Sequence, residues 1–241
     1  YIEDDEDLPN PNWVELPYQM IVADHVTQNI GRVRTLAEAD IVMVFSAGNE
    51  FFDQPTGAGM PDGEAMFPLI TPQNTANGDI YRFVSDGADN NDPDTWIPST
   101  QEEVGDLDFS DLAGTLIAVT AVDVVFLPEE AVYAALTTSF GNRCGAAASW
   151  CLAAPGVDIY STVPIDGYGL SDGSSMAAPL VAGTAALVRQ AFPYMTARQV
   201  IEVVLTTASS QGSPEIFGHG LLNAGRAVRG PIKLGSDPIF A

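Results

Sequence analysis

The chain has 241 residues, 46% of them hydrophobic and 17% charged, a balance that fits a packed core and excludes an extended disordered chain. Its 32 acidic residues against 9 basic ones give a formal charge of −23, with Lys233 the only lysine. That charge argues against nucleic acid and anionic membrane as partners, because both need clustered Lys and Arg, and it favours a secreted or salt-exposed protein kept soluble by self-repulsion.

Residues 1–17 contain the acidic patch Glu3–Asp7 and the prolines Pro9, Pro11 and Pro17, and read as an acidic exposed loop or new terminus. No basic-then-apolar segment follows Tyr1, so any signal peptide is expected upstream of it. No run of about 18 apolar residues exists, so no segment is expected to span a membrane. From Tyr18 to about Ala39, Ile21, Val22, His25, Val26, Ile30, Val33, Leu36 and Ala37 fall at helical spacing. Ile41–Phe45 is a continuous apolar run, short enough for a strand buried on both faces, and it ends at Ser46-Ala47-Gly48-Asn49-Glu50. Helix, buried strand and Gly-containing turn are the grammar of a parallel α/β sheet, whose functional groups gather at the C-terminal ends of the strands.

Residues 51–112 form a loop-rich insert. Within it Asp86, Asp89, Asn90, Asn91, Asp92 and Asp94 offer hard oxygen ligands at short spacing. They are a candidate structural calcium site, with Asp86, Asp89, Asp92 and Asp94 as its carboxylates. The pattern lacks EF-hand order, and a solvated acidic loop is the competing reading. A second buried strand is expected at Thr115–Val122 and a shorter one at Asp158–Thr162. Cys144 and Cys151, with six residues between them in a Gly/Ala-rich loop, lack the companions of a zinc site. Their spacing leaves open a reduced thiol pair or a short closed ring. The stretch from about Ser175 to Phe192 is Ala/Val/Leu-rich on nearly all sides, as expected of a helix buried through the core, and Pro193 ends it. Thr196-Ala197-Arg198-Gln199 is a capping box opening a last amphipathic helix through about Thr207. Residues 231–241 form a C-terminal extension.

Acyl transfer needs a nucleophile, a base to take its proton, and donors for the oxyanion. Ser175 stands at the mouth of the long helix among small residues that admit a substrate backbone. A serine in such a place is also an ordinary helix cap, and Asn49 after its strand is also an ordinary turn residue. The surrounding pattern decides between these readings.

The run Asp172-Gly173-Ser174-Ser175-Met176-Ala177-Ala178-Pro179-Leu180-Val181-Ala182-Gly183 resembles the nucleophile motif of subtilisin-like serine proteases (subtilases), with Ser174 for the usual Thr and Leu180 for the usual His. Three further segments resemble the family in the right order. Phe45-Ser46-Ala47-Gly48-Asn49 is similar to its oxyanion-hole segment. Leu152–Thr162 is similar to the Ala-Pro-Gly segment leading toward the nucleophile, and Gly218–Ala224 to the turn that closes the catalytic domain. The resemblance covers residues 18–230, read as the C-terminal part of a subtilase catalytic domain. It implies an α/β fold: part of a doubly wound, mainly parallel sheet with helices on both faces, lacking its N-terminal strands. It also implies Ser175 as the nucleophile, Asn49 with the Ser175 N–H as oxyanion donors, and Ser46, Ala47 and Gly48 as one wall of the pocket for the residue before the scissile bond.

Asn142-Arg143-Cys144-Gly145 followed by Trp150-Cys151 is similar to the cysteine-bracketed loop of subtilases carried on Gram-negative autotransporters. That likeness implies a secreted or surface location and a Cys144–Cys151 disulfide, which loop-closure arithmetic values at roughly 2–3 kcal/mol. Nothing before Asn49 resembles the family's Asp and His motifs, and His25 and His219 read as packing or surface residues. The resemblance therefore implies an N-terminal fragment of the same protease as a partner, carrying Asp and His, with a polypeptide as substrate. No cofactor is needed for the chemistry. The competing reading is an inactive pseudoprotease or a binding or passenger module on the same scaffold.

Overall fold

A computed structural model describes residues 20–21, 24–49, 51, 59, 61, 63–76, 80–81, 83–85, 96–98, 108–127 and 132–230. Its strands are β1 (Met20–Ile21), β2 (Met43–Ser46), β3 (Ile80–Tyr81), β4 (Phe83–Ser85), β5 (Trp96–Pro98), β6 (Leu116–Leu127), β7 (Val132–Thr137), β8 (Cys151–Pro155), β9 (Ile159–Val163) and β10 (Gly167–Ser171). Its helices are α1 (Asp24–Glu38), α2 (Pro72–Ala76), α3 (Ser174–Ala191), α4 (Ala197–Thr206), α5 (Pro214–Phe217) and α6 (Ala224–Ala227).

The central sheet is built on β6. Its first half pairs in parallel with β2 on one side (Met43 opposite Leu116) and with β8 on the other (Ala118 opposite Cys151). Its second half runs on into an antiparallel ribbon with β7. Side-chain alternation along β6 sorts the core into layers. Leu116 and Ala118 face a cluster with Ile30 and Val33 of α1, Phe67, Phe109 and Trp150. Ile117, Val119 and Ala121 face the opposite cluster with Val181 and Val188 of α3 and Val200 and Val204 of α4. Helices thus cover both faces of a mainly parallel sheet, as the α/β reading requires.

Several expectations hold and several need correction. Thr196 and Gln199 form the reciprocal capping box of α4. The first helix begins at Asp24, because Met20–Ile21 is instead drawn into a parallel pair with β3. The insert at 51–112 contains short structure, including a 3-10 turn at Gly63–Leu69 that buries Phe67. The expected buried strand at Asp158–Thr162 is β9, and it is largely exposed, pairing only with β10 in a two-stranded hairpin. β8 takes the interior position instead. Helix α3 is also not buried all round. Ala177, Val181, Thr184, Ala185 and Val188 are buried, whereas Leu180, Gly183 and Leu187 are exposed. At 100° per residue the exposed positions fill about half the circumference.

Candidate active site

The site forms where β2 and β8 end against the start of α3. Gly173 precedes the helix at φ 143° and contributes no side-chain cap, so neither Ser174 nor Ser175 is spent on capping. A side chain at Gly173 would be strained by that φ, and its Cβ would stand in van der Waals contact with Asn49 Nδ2 at 3.4 Å. Ser174 is fully buried and Ser175, one residue on, is exposed. The helix start leaves its first N–H groups without intrahelical partners. The Ser174 N–H donates to Asn49 Oδ1 at 2.8 Å, and the N–H groups of Met176 and Ala177 donate to the Gly173 carbonyl. Among the described residues no protein acceptor takes the Ser175 N–H.

Asn49 is therefore brought to the helix mouth, as the motif order predicts. Its oxygen accepts from Ser174, and its amide nitrogen lies beside Gly173. The segment before it is fixed at both backbone groups of Gly48. Its N–H donates to Ser174 Oγ at 3.2 Å and its carbonyl accepts from the Asn142 N–H at 3.1 Å. Ala47 is wholly buried and donates to the Val119 carbonyl at 2.9 Å, while Ser46 is half-buried. Of the residues expected to form a pocket wall, Ser46 is thus half-buried, Ala47 is buried, and the Gly48 backbone is engaged by Ser174 and Asn142.

Phe51 closes the loop: its N–H donates to the Phe140 carbonyl at 2.9 Å, and the Arg143 guanidinium lies 4.0 Å from its ring centroid. Burial pushes the Arg143 pKa down. On the β8 side, the Gly173 N–H donates to the Gly156 carbonyl at 2.8 Å. Asp172 Oδ1 accepts from the Asp158 N–H at 2.6 Å.

A family model for the subtilase family matches residues 23–220. The chain belongs to the subtilase family. It is 34% identical over 140 residues to the serotype-specific antigen 1 of Mannheimia haemolytica, covering 54% of this chain and 14% of that protein. It is 40% identical over 115 residues to the extracellular serine protease of Serratia marcescens, covering 37% and 11%. It is 43% identical over 96 residues to the autotransporter lipoprotein NalP of Neisseria meningitidis serogroup B, covering 37% and 8%. The chain thus spans a small fraction of these relatives' lengths. Among solved structures it is similar to the self-cleaved protease domain of PatA, with a TM-score of 0.47 and 17% identity over 83% of this chain and 53% of that one.

The subtilase motifs meet around one helix start except the closing turn, which lies elsewhere. Its His219 N–H donates to the Cys151 carbonyl and its ring nitrogen meets the Ser149 carbonyl at 3.0 Å. Cys151 opens β8, whereas Gly156, beside the nucleophile turn, follows its end. At about 3.3 Å per strand residue the two are some 16 Å apart, so His219 is structural in this arrangement. Of His25 the backbone lies in α1 and its side chain is outside the described residues. Cys144 and Cys151 are disulfide-bonded with Cα atoms 5.6 Å apart. Asp86, Asp89, Asp92 and Asp94 lie outside the described residues, among which no cluster of three metal-ligating side chains occurs. No described helix is long and apolar enough to cross a membrane.

Sequence reasoning missed two contributors. Ser174, read only as a substitute for Thr, bridges to Gly48 through its hydroxyl. Residues 138–142 support the oxyanion loop, where Asn142 holds Gly48 through its N–H, while its carbonyl accepts from Thr120 Oγ1. Backbone groups carry most of this support, and they leave no mark in residue identity.

Proposed function

We propose that this subtilase chain supplies the nucleophile and oxyanion donors of a secreted serine endopeptidase, and that the base arrives with a further segment of the same protease carrying Asp and His. The observation that carries the reading is the meeting of Asn49, the unspent Ser175 hydroxyl and the unpaired Ser175 N–H at one helix start. Ser175 Oγ attacks the scissile carbonyl carbon while its proton passes to the incoming base. The oxyanion formed is held by Asn49 Nδ2 and the Ser175 N–H, in the positive field of the helix start. The amine leaves with the proton returned by the base, and water then hydrolyses the acyl-enzyme.

The bare half of α3 supports the need for a further segment. Ser175 heads that half, and Pro179, Leu180, Gly183, Ala186 and Leu187 continue it without a charge. Gly183 in a helix interior costs about 1 kcal/mol relative to Ala, and a Cβ there would meet nothing within 4 Å. Within the described residues nothing uses the space it leaves; a covering segment lying close against the helix would use it and would end beside Ser175. The relatives named as an extracellular protease and an autotransporter support export.

The test is intact-mass analysis of the native protein together with hydrolysis of a fluorogenic peptide. The reading expects a segment preceding Tyr1, either continuous or co-purifying, and hydrolysis that Ser175→Ala abolishes. Hydrolysis surviving Ser175→Ala would refute it.

A further inference from the structure

The β9–β10 hairpin concentrates exposed apolar side chains at the edge of this site. Tyr160, Tyr168 and Leu170 are 69%, 66% and 60% exposed. They share one face, since Leu170 pairs with Tyr160 across the ribbon and the two tyrosine rings stack at 5.7 Å. At the tip, Ile165 is 99% exposed and sits at φ 65°, followed by Asp166 at φ 54°. The register, with Gly167 opposite Val163, leaves the three-residue turn Pro164-Ile165-Asp166; its two successive positive φ values favour Gly or Asn, and a β-branched side chain is among the least suited to them. Isoleucine here brings neither burial nor a favourable backbone. Strain kept at a fully exposed apolar tip points to a contact made with something else.

The hairpin is tied to the nucleophile turn. Its root is closed by the bonds from Asp158 N–H to Asp172 Oδ1 and from Gly173 N–H to the Gly156 carbonyl, and Leu170 stands five residues before Ser175. The strand order β2-β6-β8 sets its root two strand spacings, about 9–10 Å, across the sheet from β2, and the register carries it about three residues further along the strand direction. If the acyl half of a substrate lies over Ser46–Gly48 at the end of β2, the hairpin flanks the other half.

We propose that Tyr160, Ile165, Tyr168 and Leu170 form an exosite for apolar side chains on the leaving-group half of an extended polypeptide substrate. This rests on Ser175 being the nucleophile and on the acyl half occupying the β2 side. Stacked, rigid tyrosines provide apolar area at low entropic cost. Continuity with the nucleophile turn selects the substrate over a separate partner, and Asp158, Asp166 and Asp172 around the hairpin disfavour acidic peptides.

The test measures binding of two fluorescein-labelled dodecapeptides to the Ser175→Ala protein by anisotropy. They share the same acyl half, and their leaving-group halves carry either Phe and Leu or Ser and Gly. The proposal expects the apolar peptide to bind at least tenfold more tightly. Ile165→Asn and the double variant Tyr160→Ser/Tyr168→Ser should each reduce that preference at least threefold, with the circular dichroism spectrum unchanged. Ile165→Asn should also raise the denaturation midpoint, because Asn suits the turn. Equal binding of the two peptides overturns the exosite. So does a preference that the hairpin variants leave intact, or a hairpin that instead mediates dimerisation or binding to zwitterionic vesicles. Since binding is read without turnover, failure of Ser175 to act as nucleophile would appear only in the hydrolysis assay and would be separable from failure of the exosite.

Discussion

The two halves of α3 differ as sharply as the inside and outside of a protein, although their compositions are alike. One half presses Ala177, Val181, Ala185 and Val188 into the layer between the sheet and α4. The other carries Leu180, Gly183 and Leu187 into solvent with Ser175 at its head. Among the described residues, apolar side chains of the first half are packed and those of the second stand exposed. The difference teaches that the helix is apolar beyond the face its own core uses, and that bare face is the surface the proposed further segment would cover.

The largest effect should come from the head of the bare half. Ser175→Ala should abolish peptide hydrolysis in the complete protease while leaving the thermal midpoint within a degree or two, since an exposed hydroxyl that caps nothing carries little stability. Loss of folding in that variant would show that Ser175 is structural.

Asn49→Leu should lower kcat roughly 10²–10³-fold with KM little changed, a magnitude known for the corresponding donor of subtilisin, itself of this family. An equal rise in KM with kcat intact would make Asn49 a binding residue instead.

A direct contrast comes from neighbouring positions on the two halves. Val188→Ala should destabilise the isolated chain by about 1–3 kcal/mol through the cavity it leaves. Leu187→Asp should cost the isolated chain under about 0.5 kcal/mol yet impair activity of the complete protease. Denaturant midpoints of the two variants decide this. If Leu187→Asp destabilises the isolated chain as much as Val188→Ala, the bare half is already in use.

Reduction of the Cys144–Cys151 bond should cost roughly 2–3 kcal/mol, read as a shift of the denaturant midpoint. Its ring encloses the turn whose Trp150 Nε1–H donates to the Ala65 carbonyl at 2.8 Å, on the face of the sheet away from α3.

The smallest effect is acid sensitivity. The Ala197 N–H first, and then the paired Arg189, hold the Asp40 carboxyl below the usual carboxylate range. A lowered folded pKa means that this contribution is fully present above the unfolded value of about 3.9 and is lost as pH falls through the folded value. Asp40→Asn should therefore flatten the loss of stability in that acid window, as followed by midpoint against pH, and an unchanged acid limb would assign it to other carboxylates.

Much of this was legible in the sequence. β2 lies on the apolar run Ile41–Phe45, β6 is apolar except at Thr120 and Asp123, α1 and α4 have helical periodicity, and Thr196 with Gln199 spells the capping box. The meeting of Asn49 with the Ser174–Ser175 turn follows from the motif order. β8 was hidden because Cys-Leu-Ala-Ala-Pro is short, made of small residues and ends in proline, a loop-like composition that only an interior sheet position turns into a strand. The bare half of α3 was hidden for a different reason. Apolar composition records that a face is to be buried, not whether the burying surface lies in the same stretch of chain. The strain at Ile165 was equally invisible, since an Ile-Asp pair carries none of the usual signals of the turn it makes.

The central claim is most directly tested by fluorophosphonate labelling followed by peptide mass mapping, comparing residues 1–241 alone with the complete protease. The account predicts a single adduct on Ser175 in the complete protease, its loss in Ser175→Ala, and no labelling of the isolated chain, where no base draws off the proton. Labelling of the isolated chain at the same rate, or of a different serine in the complete protease, would contradict it.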